Sequence, residues 1–156
     1  MREMIRIGNG QGFWGDSIDA PVNMVKGGPL DYLTLDYLAE LTLSIMQRQK
    51  LKNPSAGYAR DFIDLIERIL PEIHQKGLKV ITNAGGVNPQ ACREKLLKLA
   101  KKSGCPIKIG VIRGDDIYSD LQKLRDRGVC FDNMDTGKSF NEIADKVYSA
   151  NVYINS

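Results

Sequence analysis

Histidine and cysteine are scarce in this chain, and their scarcity removes whole classes of chemistry. The single histidine, His74, falls late in a predicted helix among charged neighbours. It is read as solvent-exposed and given no role, which leaves a Ser-His-Asp triad without its base. The three cysteines, Cys92, Cys105 and Cys130, are odd in number and far apart. They fit no common zinc spacing and no disulfide framework, so no metal site is read and a reducing, intracellular compartment is expected. Long apolar runs are missing too. Nothing approaches the roughly 18 residues of a membrane span, and the opening MREMIRIGNG has no signal-peptide core, so the chain is read as cytoplasmic and without a membrane partner. An excess of one charge is also lacking, the formal net charge being +3. Lys95, Lys98, Lys101 and Lys102 line one predicted helix, where they read as its solvated face rather than as a phosphate stripe, and no nucleic-acid partner is expected. There is no P-loop, internal repeat or low-complexity segment.

What remains is an ordinary soluble composition, 42% hydrophobic and 26% charged over 156 residues, enough for one domain over residues 1–156. Short β-rich runs alternate with segments of helical period. That pattern predicts an α/β fold, a mostly parallel sheet with helices on both faces in a Rossmann-like three-layer arrangement. Strands are expected over residues 4–8, 31–35, 78–82 and 107–112, with shorter ones over 129–131 and in the closing NVYIN. Helices are expected from Ser17 to Gly27, over 37–50, from Arg60 to Gly77 with Pro71 kinking or restarting it, from a cap at Asn88 to Gly104, around Ile117 to Leu124, and after a capping box of Ser139 and Glu142. A parallel strand normally leads into a crossover helix. The end after NVYIN therefore reads as that of the N-terminal part of a longer protein.

In an open parallel sheet, ligands bind outside the carboxyl ends of the strands. The polar and glycine-rich segments fall there: residues 9–16, Asp36, residues 83–88 and residues 113–116. Gly10, Gly12 and Gly15 satisfy G-x-G-x-x-G, and Asp36 stands at the distance where a dinucleotide site places its ribose-binding acid. Against that reading, Phe13 and Trp14 are bulky, and Asp16 sets a negative charge at the helix entrance. Phe13 and Trp14 either pack the loop or wall a pocket. Asp36 is either a catalytic base or ligand anchor, or a helix cap. Gly85, Gly86 and Asn88 form either a cradle for an anion or thioester oxygen, or a plain capped turn. Asn9, Gly10, Gly12, Asp16, Asn83 and Asp115 complete the candidate ligand contacts. Asp116 reads as a helix cap. Acid and base chemistry would come from carboxylates, tyrosine or lysine, or from residues beyond Ser156, and no cofactor is named by the sequence.

The segments RIGNGQGFWGD, GGPLDYLTLDYLAELTLSIMQRQ, NPSAGYARDF, VITNAGGVNPQAC and SANVYIN, in this order, resemble the N-terminal part of the acyclic terpene utilisation (AtuA) family. The resemblance rests on Gly8, Asn9, Gly12, Gly15 and Asp16; on Gly28, Leu30, Asp31, Tyr32, Asp36, Tyr37 and Glu40; and on Asn83, Gly85, Gly86, Asn88 and Pro89. Gly10 and Trp14 stand where the family carries other residues. The resemblance implies a role beside the enzymes that degrade citronellol and geraniol through branched acyl-CoA thioesters, among them a biotin-dependent geranyl-CoA carboxylase. The expected partner is an acyl-CoA or another terpenoid-derived small molecule. A non-enzymatic scaffold or subunit contacting carboxylase subunits is the alternative, a dinucleotide-binding domain the second, and a homo-oligomer is left open.

Overall fold

The computed structural model describes residues 4–152. These residues divide into two compact units, the first ending at Val111 and the second starting at Ile112. The first runs β1 (Ile7–Gln11), α1 (Asp19–Gly27), β2 (Tyr32–Leu35), α2 (Glu40–Lys52), α3 (Arg60–Lys76), β3 (Lys79–Thr82) and α4 (Pro89–Lys102). The three strands form one parallel sheet in the order β1-β2-β3, with Ile7 opposite Tyr32 and Tyr32 opposite Lys79. The α/β class and the parallel sheet stand as the sequence predicts.

Sequence period explains why one sheet face is sealed. Gly8, Leu33 and Val80 align on it, and Leu33 and Leu35 are buried among Val22, Val25, Leu65, Ile69 and Leu96 from the helices. On α3 the buried Phe62, Ile66 and Ile69 recur at helical spacing and place one apolar stripe on the sheet. The helix runs through Pro71 without interruption and ends at Gly77, whose φ of 65° is the left-handed closing residue. Gly10 permits a close approach of α1, since a β-carbon there would lie 2.7 Å from Pro21 Cβ. A side chain at that position would push α1 off the sheet.

The opposite face carries Ile7, Asn9, Tyr32, Thr34, Lys79 and Ile81. The helical layer expected on it is not found over Ile7 and Ile81, which remain 66% and 57% exposed. Helices α1, α3 and α4 pack in succession against one another on the sealed face. Other boundaries also shift. β1 starts and ends three residues later than expected, and α2 starts at Glu40 rather than Tyr37, because the Tyr37 and Leu38 amides are taken by side chains. The predicted strand over 107–112 is not formed. Cys105, Ile107 and Ile109 alternate inward onto the core as strand residues would, but the carbonyl of Ile109 accepts from Arg93 Nε at 3.3 Å and that of Pro106 faces His74 Nδ1 at 3.3 Å, not a ladder.

The second unit holds α5 (Leu121–Asp126) and three 3-10 turns, Tyr118–Asp120, Phe140–Glu142 and Ala144–Lys146. Residues 129–131 form no strand. Ser139 caps as predicted, its hydroxyl accepting from the Asn141 amide at 3.3 Å, but only a 3-10 turn follows. Asn151 pairs with Asp116 in a single antiparallel bridge, the Val152 amide donates to the Asp115 carbonyl at 2.8 Å without extending it into a strand, and residues 153–155 of the predicted last strand lie outside the described residues. No residue of 112–152 is buried. Sequence period alone cannot make helices and strands where there is no core to receive their apolar faces.

Candidate functional site

At the carboxyl edge of the first unit, a side chain joins the ends of β2 and β3, and a backbone bond joins the end of β1 to them. Asn83, after β3, donates from Nδ2 to Asp36 Oδ1 at 2.7 Å and accepts the Tyr37 amide at 2.8 Å. Asp36 Oδ1 also accepts the Leu38 amide at 3.1 Å. These bonds fix the turn into α2 and leave Asp36 Oδ2 as an exposed carboxylate oxygen at the centre of the edge. From β1, the Gln11 carbonyl accepts the Asp36 amide at 3.1 Å.

A bulge in β1 sets the floor of this edge. Pairing runs Asn9 to Thr34 and then Gln11 to Leu35, skipping Gly10, so both Gly10 and Gln11 face inward. The extra residue re-aims Gln11 into the interior, as such irregularities commonly do beside functional sites. There Gln11 meets the buried Tyr37 side chain. The Gln11 Nε2 donates to the Phe13 carbonyl at 3.0 Å, and the Trp14 indole donates to Asp61 Oδ1 at 3.0 Å. Burial raises the Tyr37 pKa well above that of an ordinary phenol, the charge of Asp61 adds to this, and the neighbouring Gln11 opposes it. Burial pushes the Cys92 thiol up to about 12, and raises Tyr58 with help from Cys92 and against Arg60. The phenols and the thiol are therefore all protonated at neutral pH.

Asp36, Asn83 and the 12–16 loop do meet at one edge. Asn9 and Gly10 do not, since they lie within β1: Asn9 is on the open face, where Thr34 Oγ1 donates to its side chain at 3.4 Å, and Gly10 is against Pro21. Asp16 closes its own loop, its Oδ2 accepting the amides of Gly12 at 2.9 Å and Phe13 at 3.2 Å. A dinucleotide loop offers such amides to a pyrophosphate, and its helix starts within the glycines. Here a carboxylate holds them, and α1 begins beyond Gly15, at Asp19.

The turn over residues 83–88 is likewise used internally. The amides of Gly86, Val87 and Asn88 donate to the carbonyls of Asn83, Gly57 and Gly85, each at 3.0 Å. Gly85 packs on Pro89, and Gly86 packs on Met46 with a φ of 51°. Asn88 caps α4 through Ala91 N, and donates from Nδ2 to the carbonyls of Pro54 at 2.8 Å and Ala56 at 2.7 Å.

Asp115 belongs to the second unit, where its Oδ2 accepts from Asn151 Nδ2 at 3.2 Å, and Asp116 caps the Tyr118 amide at 3.1 Å. That unit also has an open recess of about 290 Å³ lined by Arg125, Cys130, Phe131, Asp132 and Phe140. The Phe140 amide and the Cys130 thiol hold the Asp132 carboxyl below its usual range. Gln11 and Asp61 had no signal in the sequence, because only the bulge and the α3 contact bring them to Tyr37 and Trp14.

Among the described residues, no three His, Cys, Asp or Glu side chains gather to hold a metal, and no helix is long and apolar enough to cross a membrane. No curated protein and no solved structure matches the chain. The family model described as acyclic terpene utilisation family protein AtuA matches residues 5–155, nearly the whole sequence. With its motifs placed at the carboxyl edge of a parallel sheet, the chain belongs to the AtuA family.

Proposed function

We propose that this chain takes part in acyclic terpenoid catabolism inside the cell, binding a terpenoid-derived molecule or its branched acyl thioester at the carboxyl edge of the first unit. The observation that carries the reading is the joining of three strand ends around one exposed carboxylate, Asp36, positioned by Asn83. Phe13, 59% exposed, and Leu41, 71% exposed, supply apolar surface on the adjoining segments. An edge with two carboxylates, Asp16 and Asp36, and with its loop amides satisfied internally suits the acyl part of such a ligand better than the phosphates of coenzyme A. Asp36 Oδ2 is the atom able to accept a proton or a hydrogen bond from the ligand. The free state of Cys92, Cys105 and Cys130 supports a reducing compartment.

A thermal-shift series with citronellyl and geranyl compounds, their acyl-CoA thioesters and NAD tests this on the parent chain and on Asp36→Asn. Stabilisation by terpenoid ligands that is weakened in the variant supports the reading. Stabilisation by NAD alone overturns it. The uncovered sheet face, with Ile7 and Ile81 exposed, favours a second reading as a subunit that docks on a carboxylase or another protein, since parallel sheets are normally covered on both faces. Lysine at both positions would abolish such docking in sedimentation with carboxylase subunits while leaving terpenoid binding intact.

A further inference from the structure

The net charge of +3 conceals a one-sided distribution. From Ile73 to Val111 the chain carries eight lysines and arginines and one acid, Glu94, whereas the residues before Ile73 carry eight basic and ten acidic side chains. Most of the positive charge therefore falls on α4 and the segment after it. Lys95, Lys98 and Lys102 recur at spacings of three and four and so share one face, with Lys101 beside them, over about 10 Å of helix. All four are exposed, while Cys92, Leu96 and Ala100 hold the opposite side in the core. Lys108 is exposed as well, between the inward-packed Ile107 and Ile109. Among the described residues no hydrogen bond or ion pair engages any of these five lysines, and Glu94 already accepts from Gln90 Nε2 at 3.2 Å. An exposed helix face normally intersperses both signs, since like charges three and four apart repel. The negative end of the helix dipole accounts for Lys101 and Lys102 in the last turn but not for Lys95 and Lys98 further back.

We propose that this face of α4 docks an acidic protein surface, a helix or turn presenting several carboxylates. Each lysine meets a carboxylate as an exposed point charge, and pairing relieves the repulsion along the row. Nucleic acid fits less well. Residues 89–111 contain no aromatic side chain on which a base could stack, and their single arginine, Arg93, has its Nε held by the Ile109 carbonyl at 3.3 Å. A lipid surface fits less well too. No large apolar side chain between Pro89 and Val111 is exposed, so the lysine row has nothing beside it to insert among acyl chains. The surface lies on the helical layer, apart from the open sheet face of Ile7 and Ile81 and from the Asp36 carboxylate. The proposal thus goes beyond the terpenoid reading and stands or falls without it.

The test titrates the intact chain against a labelled acidic helical peptide of Glu-Ala-Ala-Glu repeats, read by fluorescence anisotropy at about 0.1 M salt, where screening still extends over about 10 Å. The glutamine counterpart of the peptide, a single-stranded oligonucleotide and vesicles of phosphatidylserine with phosphatidylcholine are titrated in parallel. The expected result is saturable binding of the acidic peptide alone, weakened steeply by added salt. The triple variant Lys95→Gln, Lys98→Gln and Lys102→Gln is expected to bind it about tenfold more weakly, and the same three positions changed to arginine to keep the affinity. Equal affinity in the glutamine variant, preference for the oligonucleotide or the vesicles, or no binding of the acidic peptide each overturns the proposal. Should circular dichroism show the triple variant unfolded, Lys98→Gln alone decides in its place, with an expected loss of about threefold.

Discussion

The carboxamide of Asn83 joins Asp36 to the backbone of Tyr37, with its nitrogen 2.7 Å from the carboxylate and its oxygen 2.8 Å from the amide. One side chain thus locks the end of β3 to the turn after β2 and fixes the exposed carboxylate at the edge. Asn83→Ala removes both bonds at an exposed position and is expected to cost about 1–2 kcal/mol in urea unfolding. Asn83→Asp keeps the acceptor but sets a second carboxylate against Asp36. Its deficit is larger at neutral pH and shrinks as the pH falls through the carboxylate range, where a protonated Asp again donates. An Asn83→Asp chain whose deficit does not change with pH would show that the contact does not hold the edge.

The buried thiol of Cys92 and phenol of Tyr37 make stability fall in alkali. Both folded-state pKa values are raised, Cys92 to about 12. The folded chain keeps protons that the unfolded chain has released, so this contribution is complete below the unfolded pKa of about 8.5 for the thiol and is lost as the pH rises. Stability is expected to drop by about 1.4 kcal/mol per pH unit from the thiol, and more steeply above about pH 10, where Tyr37 joins. Tyr58 acts in the same direction. Urea unfolding of the parent and of Cys92→Ala across that range checks the assignment, because the variant should lose the first stage and keep the second.

The elements that seal the core were legible in the sequence. Phe62, Ile66 and Ile69 announced α3, Asn88 followed by Pro89 announced α4, and Gly77 marked the end of α3, because in each the local signal and the packing agree. The segment over 107–112 shows where local pattern is insufficient. It has strand-like alternation, but pairing is decided by where its carbonyls go, and Arg93 holds that of Ile109. The site was half legible. Asp36 and Asn83 stand at the edge where strand order placed them. Gln11 and Asp61 were invisible, the first because a one-residue bulge at Gly10 reverses its direction, the second because it meets Trp14 only through the docking of α3.

Two glycines separate conformational need from coincidence. Gly86 has a φ of 51°, and a β-carbon there would lie 2.8 Å from the Gly57 carbonyl oxygen and closer still to Met46. Gly86→Ala is expected to cost roughly 2–5 kcal/mol from strain and overpacking together. At Gly27, the last residue of α1, an added methyl meets nothing within 4 Å. Gly27→Ala should leave stability unchanged or raise it by a few tenths up to about 1 kcal/mol, through helix propensity and a stiffer unfolded chain. Equal thermal shifts for the two variants would contradict the close approach of α2 to the turn over residues 83–88.

Asn88 distinguishes a structural turn from an anion cradle. Its Oδ1 caps Ala91, while its Nδ2 spans the carbonyls of Pro54 and Ala56 and so ties the 53–59 loop to the start of α4. Asn88→Ala loses the cap and both donated bonds, and is expected to cost about 2–3 kcal/mol. Aspartate is as good a cap, and its charge suits the helix N-terminus, yet it would set a carboxylate against two carbonyl oxygens. Asn88→Asp should therefore be destabilised at least as much as Asn88→Ala at neutral pH in urea unfolding. If the residue served an anion instead, Asn88→Asp would stay as stable as the parent and lose only ligand binding, since a capping carboxylate costs the helix nothing.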